Sequence, residues 1–336
     1  MKAIVDDKIP YIRGLIEELV DEVCYVRGSD IGPDDVRDAH ILIVRTRTRV
    51  DERLLSGSQV GLVVTATIGY DHLDTAWLDA AGIRWTNCPG CNAASVCQYV
   101  HNSLLSLDRL HEGMRAGIVG VGHVGSLVAD DLHAAGMRVT LCDPPRFCTP
   151  TFAETDWSDM DLITFHTPLQ HEGELATWHM ADDRFFQSLR RRPVVINAAR
   201  GGVIDEAALL RAMDRGLVSA VVVDTWEGEP DINRELLRRA DIATPHIAGY
   251  SADGKANATR MSLQAVADYL GVPFTLDVTP PALPPDFCYG EPSAEDTKKA
   301  DALRLYDPCI DSRHLKSEPE KFEWLRGHYP LRRERM

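Results

Sequence analysis

Gly117-Ile118-Val119-Gly120-Val121-Gly122-His123-Val124-Gly125 is the stretch on which the fold turns. An apolar strand leads into it, and an amphipathic run over 124–135 follows. Glycines at 120, 122 and 125 have the spacing of a dinucleotide-binding turn between strand and helix. Gly120 permits the tight turn, Gly122 lets a pyrophosphate approach the backbone, and Gly125 lets the helix pack on the sheet. A helix starting here offers unpaired N–H groups and partial positive charge to phosphates. The next apolar run, 138–142, ends in Asp143. An acid about 20 residues on accepts from a ribose 2′-hydroxyl and repels a 2′-phosphate. NAD is therefore expected rather than NADP, with Arg146 nearby pulling the other way.

Outward from this turn, short β-rich runs alternate with helical patterns as far as residue 270, the rhythm of a parallel α/β sheet. One set of strands is expected over 2–6, 24–26, 41–45, 61–67 and 84–87. A second is expected over 116–121, 138–142, 161–165, 194–198, 218–223 and 241–243. Ile12, Leu15, Ile16 and Leu19 share one face and predict a helix over 11–20. Further helices are expected over 93–110 and 252–270, the latter stopped by Gly271 and Pro273. Pro280, Pro281, Pro284 and Pro285 mark a linker. The fold class is thus α/β: two doubly wound parallel-sheet (Rossmann-like) domains with a small C-terminal α+β domain. The divisions fall at 1–92, 93–271 and 272–336.

A net charge of -15 argues against a nucleic-acid surface, which needs clustered positive charge. The longest apolar runs are strand-length, short of the ~20 residues of a membrane span. The N-terminal strand closes on Asp6-Asp7 and lacks the apolar core of an export signal, so a cytoplasmic location is expected. Eight cysteines in such a chain read as free thiols. Cys88-Pro89-Gly90-Cys91 lacks the second pair that would complete a zinc site and reads as a turn, so no metal is expected.

Three strand ends carry the chemistry. Asn197-Ala198-Ala199-Arg200-Gly201-Gly202 closes one, Trp226-Glu227-Gly228-Glu229-Pro230 follows the next, and Thr244-Pro245-His246-Ile247-Ala248-Gly249-Tyr250 the last. In such sheets ligands bind outside the carboxyl ends of strands. Arginine suits a carboxylate through its bidentate fork. Histidine suits proton removal from a hydroxyl, and a carboxylate can orient it. His166-Thr167-Pro168 and Asp224-Thr225 end two neighbouring strands.

The glycine turn and these three segments resemble the D-isomer-specific 2-hydroxyacid dehydrogenase family, in the right order across 1–270. The resemblance implies Arg200 on the substrate carboxylate and carbonyl, His246 as general acid/base, and Glu229 as its partner, with Glu227 the rival carboxylate. It implies Asp143, Thr167, Asp224 and Gly249 as cofactor contacts beside Gly120, Gly122 and Gly125. Further segments, among them Thr65-Ala66-Thr67-Ile68-Gly69, Pro89-Gly90-Cys91-Asn92-Ala93 and Cys142-Asp143-Pro144-Pro145-Arg146, are similar to a branch of that family acting on a small phosphorylated 2-hydroxy acid. So is the tail around Tyr306-Asp307, Phe322 and Arg332-Arg333-Glu334. That likeness implies Thr46, Thr67 and Tyr250 on the substrate, and a homodimer formed through the C-terminal domain. A phosphate needs cations in so acidic a chain, and Arg45 or Arg47, flanking Thr46, are the candidates. Gln98 departs from the glutamate expected in its helix, and 111–115 is shortened. The rivals are a family member acting on 3-phosphoglycerate or glyoxylate, and a non-catalytic NAD(H)-sensing protein.

Overall fold

A computed structural model describes residues 1–147, 149–290 and 301–334. The chain divides into two compact units, Met1–Asn92 with Ser251–Ala282, and Ala93–Tyr250 with Leu283–Met336.

In the first unit β1 (Lys2–Asp6), β2 (Glu22–Val26), β3 (Ile41–Val44), β4 (Leu62–Thr65) and β5 (Arg84–Thr86) form a parallel sheet in the order β2-β1-β3-β4-β5. β3 and β4 are buried along their whole length, as parallel strands covered on both faces must be. The helix expected over 11–20 does not form. A 3₁₀ turn at Ile16–Glu18 takes its place, because Pro10 and Gly14, the latter at φ +84°, interrupt the run. Ile12 and Ile16 still reach the core, so the apolar face is real although the helix is not.

The helix Ala252–Leu270 begins at Ser251, whose Oγ accepts from the amide of Gly254, and ends at Gly271 in the left-handed region. Its Ala256, Leu263 and Val266 pack with Ala3, Val5, Ile41 and Ile43. This corrects the expected 93–271 division: the last helix belongs to the first unit, because its apolar face is complementary to the first sheet.

The second unit holds β6 (Arg115–Val119), β7 (Arg138–Cys142), β8 (Leu162–Phe165), β9 (Val194–Asn197), β10 (Ala220–Val223) and β11 (Ile242–Ala243). They form a parallel sheet in the order β11-β10-β9-β8-β6-β7, with an apolar core on each face. Strand order reverses between β6 and β8, the place where such sheets receive a ligand.

Of the α+β mixture expected in the C-terminal segment, the described residues show the helical part. The segment's described regular elements are helical, at Asp301–Leu305, Pro308–Ser317 and Phe322–Gly327, and no strand occurs among the described residues from 272 onward. Tyr289, Tyr306 and Ile310 enter one core of the second unit, and Leu315 and Phe322 the other. Asn102 Nδ2 donates to the carbonyls of Ala302 and Tyr306. Val278 joins the core of the first unit, whereas from Leu283 onward the segment belongs to the second, with Tyr289 also edge-on to Tyr306. Among the described residues no helix is long and apolar enough to cross a membrane.

Candidate active site

The glycine turn is built as its spacing demands. Gly120 lies at φ +85°, and a Cβ there would stand 2.8 Å from the backbone of His166 and Thr167. A Cβ on Gly125 would stand 1.9 Å from the Gly120 carbonyl oxygen. Gly122 is the N-cap of the helix His123–Ala134, and no side chain caps it. Its first-turn amides therefore have no side-chain acceptor at the cap, the condition under which a helix start takes an anion. Asp143, at the end of β7, accepts from the amide of Val121 at 2.7 Å, which ties the acid to the glycine loop. Across the turn, Thr167 Oγ1 and His166 Nδ1 are buried without a protein partner, as is Thr225 Oγ1 after β10. A buried hydroxyl left unpaired costs about 1–3 kcal/mol. Orphans beside an open helix start fit a polar ligand, and these residues suit a dinucleotide. Burial pushes the His166 imidazole down to about 3, so it is neutral there.

Arg200, Glu229 and His246 lie on the turns that follow β9, β10 and β11, with Arg200 Nη1 donating to the Ala199 carbonyl. Asn197, buried at the end of β9, shapes the turn bearing Arg200: its Oδ1 accepts from Ala199 N, and its Nδ2 donates to the Arg200 and Thr225 carbonyls. A Cβ on Gly201 would lie 1.8 Å from the Trp226 carbonyl oxygen, so glycine alone allows the Arg200 and Glu229 turns to touch. Glu229 Oε1 accepts from the amide of Trp226, and Nδ1 of His246 lies 2.8 Å and 3.1 Å from the two Glu229 oxygens. Burial alone would raise Glu229, but the His246 contact, the Trp226 amide and the Arg326 charge outweigh it and hold the carboxyl below its ordinary range. His246 sits at φ +56°. That conformation costs a non-glycine residue on the order of 1–3 kcal/mol and persists only where surrounding contacts over-determine it. Here the His246 amide donates to the Asp224 carbonyl, and the Asp224 carboxylate accepts from Ile247 N, Ala248 N and Thr244 Oγ1. Asp224 is thus the organiser of the histidine loop, a role its strand-end position alone does not reveal.

Two further groups escaped the sequence reading. Glu206 and Glu227 exchange backbone-to-carboxylate hydrogen bonds, and His179 Nε2 meets Glu227 at 3.0 Å. With Asp205, the ligand atoms of His179 and Glu227 lie within 4.8 Å of one another. Asp205 already accepts from two helix amides and Glu227 from one, so these carboxylates serve as caps. Glu227, the rival for the catalytic role, faces His179, not His246. Arg326, from the C-terminal segment, stands with its Cζ 5.9 Å from the Tyr250 ring, and its Nε is buried without a partner. No local motif marks either group.

Among the first unit's candidates, Arg45 makes a fork to the fully buried Asp6, Nε at 3.0 Å and Nη2 at 3.1 Å. Thr46 and Arg47 lie exposed in the turn that follows β3. Thr67 Oγ1 donates to the Gly69 carbonyl and lies 2.7 Å from Thr65 Oγ1. Cys88 is buried, its thiol directed at the Ala258 carbonyl and pushed up to about 11 by burial, so the Cys88–Cys91 turn is core.

Residues 98–248 match the family described as D-isomer specific 2-hydroxyacid dehydrogenase, NAD binding domain. The chain is 50% identical over 343 residues to the erythronate-4-phosphate dehydrogenase of Bacteroides thetaiotaomicron, covering 99% of this chain and 97% of that one. The chain belongs to the D-isomer-specific 2-hydroxyacid dehydrogenase family. The erythronate-4-phosphate dehydrogenase of Porphyromonas gingivalis is 42% identical, with 99% and 94% covered. Two solved structures share the fold. NAD-bound 3-phosphoglycerate dehydrogenase of Entamoeba histolytica superposes with a TM-score of 0.68 at 23% identity, over 81% of this chain and 95% of that one. D-lactate dehydrogenase of Aquifex aeolicus, complexed with NAD and lactic acid, gives 0.64 at 22%, over 81% and 96%. This dehydrogenase is an NAD-dependent oxidoreductase of hydroxy acids, and its second sheet with the glycine turn is the NAD-binding domain.

Proposed function

We propose that this dehydrogenase oxidises 4-phospho-D-erythronate to (R)-3-hydroxy-2-oxo-4-phosphooxybutanoate, a step of pyridoxal 5′-phosphate biosynthesis. The observation that carries the reading is the His246–Glu229 pair, in a chain half identical to an erythronate-4-phosphate dehydrogenase. His246, its Nδ1 on Glu229, presents Nε2 to the substrate and takes the C2 hydroxyl proton. Glu229 keeps the ring oriented and favours the imidazolium that forms. Arg200 holds the carboxylate and the growing carbonyl dipole. NAD, when bound, supplies the acceptor for the C2 hydride. Gly120, Gly122 and Gly125 with the 123–134 helix start would hold its pyrophosphate and Asp143 its ribose, with Thr167, Asp224 and Gly249 lining the rest of its site. We assign Thr46, Thr67 and Tyr250 to the substrate. We assign the phosphate to Arg45 or Arg47, of which Arg45 also holds Asp6. The protein is read as a cytoplasmic homodimer paired through the segment after 272, which leaves Trp324 more than half exposed; sedimentation gives the assembly state.

The test is NADH formation from 4-phospho-D-erythronate, with 3-phosphoglycerate and glycerate as competitors and a carbonyl reagent to trap the product. Selective turnover of the erythronate ester supports the reading. Preference for 3-phosphoglycerate overturns the substrate and keeps the mechanism. NADH binding without turnover of any hydroxy acid overturns both.

A further inference from the structure

Arg332 is the largest side chain with no exposed surface in the described chain. A guanidinium leaves water only where its donors are met, and here all three nitrogens are used. Nε donates to Gln98 Oε1 at 2.9 Å and Nη2 to the Ser95 carbonyl at 2.6 Å, both on the helix Ala93–Ser106. Nη1 reaches the carbonyls of Ile247 and Ala248, at 3.3 Å and 3.2 Å. The guanidinium carbon lies 3.5 Å from the centroid of the Tyr306 ring. The two residues after His246 are therefore gripped from opposite sides. Their amides go to the Asp224 carboxylate and their carbonyls to Arg332, and Ser95 Oγ also donates to the Ala248 carbonyl. His246, at positive φ, opens this doubly held stretch.

We infer that Arg332 is a positioning residue for the reaction: by holding the Ile247 and Ala248 carbonyls, it keeps the His246 imidazole seated on Glu229. This rests on the proposed role of His246 as general base. It gives the C-terminal segment a part in the active site of its own chain, in addition to any pairing between chains. A lysine at 332 would keep the charge but lose the planar fork that spans helix and loop.

The experiment compares the wild-type protein with Arg332→Lys and Gln98→Met, the milder change that unties only Nε. Steady-state kinetics on 4-phospho-D-erythronate are read beside hydrogen exchange of the 244–250 peptide. For Arg332→Lys, kcat falls about ten-fold or more with KM for the hydroxy acid within about two-fold. Exchange over 244–250 accelerates about ten-fold, while the 194–223 strands stay at wild-type rates. Wild-type kcat, a kcat loss without faster 244–250 exchange, or faster exchange spread evenly over the unit overturns the inference. If Arg332→Lys does not fold, Gln98→Met is judged by the same signs at smaller amplitude. If the wild type turns over no hydroxy acid, the functional reading falls by itself. The exchange data alone then decide whether Arg332 holds the loop.

Discussion

Nδ1 of His246 lies 2.8 Å from Oε2 of Glu229, closer than from Oε1, which also serves the amide of Trp226. The contact selects the tautomer: Nδ1 carries the proton toward the carboxylate, and Nε2 is left to exchange a proton with substrate. Replacing His246 by Asn removes the base, and kcat is expected to fall about a thousand-fold with NADH binding intact. Glu229→Gln leaves the base but not its charged partner, and a loss of about a hundred-fold is expected. Stopped-flow hydride transfer with fluorescence titration of NADH separates the two effects. Equal activity of Glu229→Gln and wild type would remove Glu229 from the mechanism.

Gly201 allows the Arg200 turn to lie against the Trp226 carbonyl, 1.8 Å from where a Cβ would fall. Gly201→Ala must push two turns apart, at a cost of more than about 2 kcal/mol. The displacement moves Arg200 relative to Glu229, so KM for the hydroxy acid rises as well as stability falling. A variant with wild-type melting temperature and KM would show that the turns separate without consequence.

Glu206 is pushed up to about 7 by burial, reinforced by Glu227 and Glu229 and opposed by the Glu227 amide and Asn233. Its folded value lies above its unfolded one, so the associated stability is fully present below the unfolded value, near 4.5, and is lost as pH rises through about 7. Glu206→Gln, which stays neutral, should be more stable than wild type at pH above 8 by on the order of 1–3 kcal/mol, and indistinguishable at acid pH. Denaturant melts across this range measure the difference. A pH-independent offset between the two proteins would contradict the assignment.

Asp143 both organises the glycine loop through Val121 and stands where a ribose is expected. Asp143→Asn keeps an acceptor for that amide and removes the charge. The NAD-over-NADP preference in kcat/KM should narrow about ten-fold, without loss of thermal stability. A preference that does not move would place cofactor selection elsewhere, with Arg146 the next residue to change.

Arg45 and Arg47 separate structure from binding. Arg45→Gln strips the fully buried Asp6 of its fork and should cost about 2 kcal/mol, below the range for wholly buried pairs because Arg45 is partly exposed. Arg47→Gln removes an exposed guanidinium from the turn after β3. It should raise KM for the phosphorylated acid, relative to its unphosphorylated analogue, about ten-fold. The reverse pattern would exchange their roles.

The nucleotide turn, the parallel-strand runs and the Arg200, Glu229 and His246 segments were legible from the residues because each is local. Gly120 and Gly125 answer to atoms a few residues away or on the adjoining strand end, and the apolar runs of β3 and β4 declare burial on both faces. Local patterns misled where a breaker competed with periodicity, as Pro10 and Gly14 did with the face of Ile12 and Ile16. What only the tertiary structure decided depends on residues far apart in the chain. The 252–270 helix joined the first sheet, Arg45 went to Asp6, and Asp224 closed on the histidine loop. Arg332 came back to Ile247 and Ala248 across 85 and 84 residues. A buried charge takes whichever carbonyls or carboxylates the packed elements present to it. Spacing along a chain does not encode that choice until the cores have assembled.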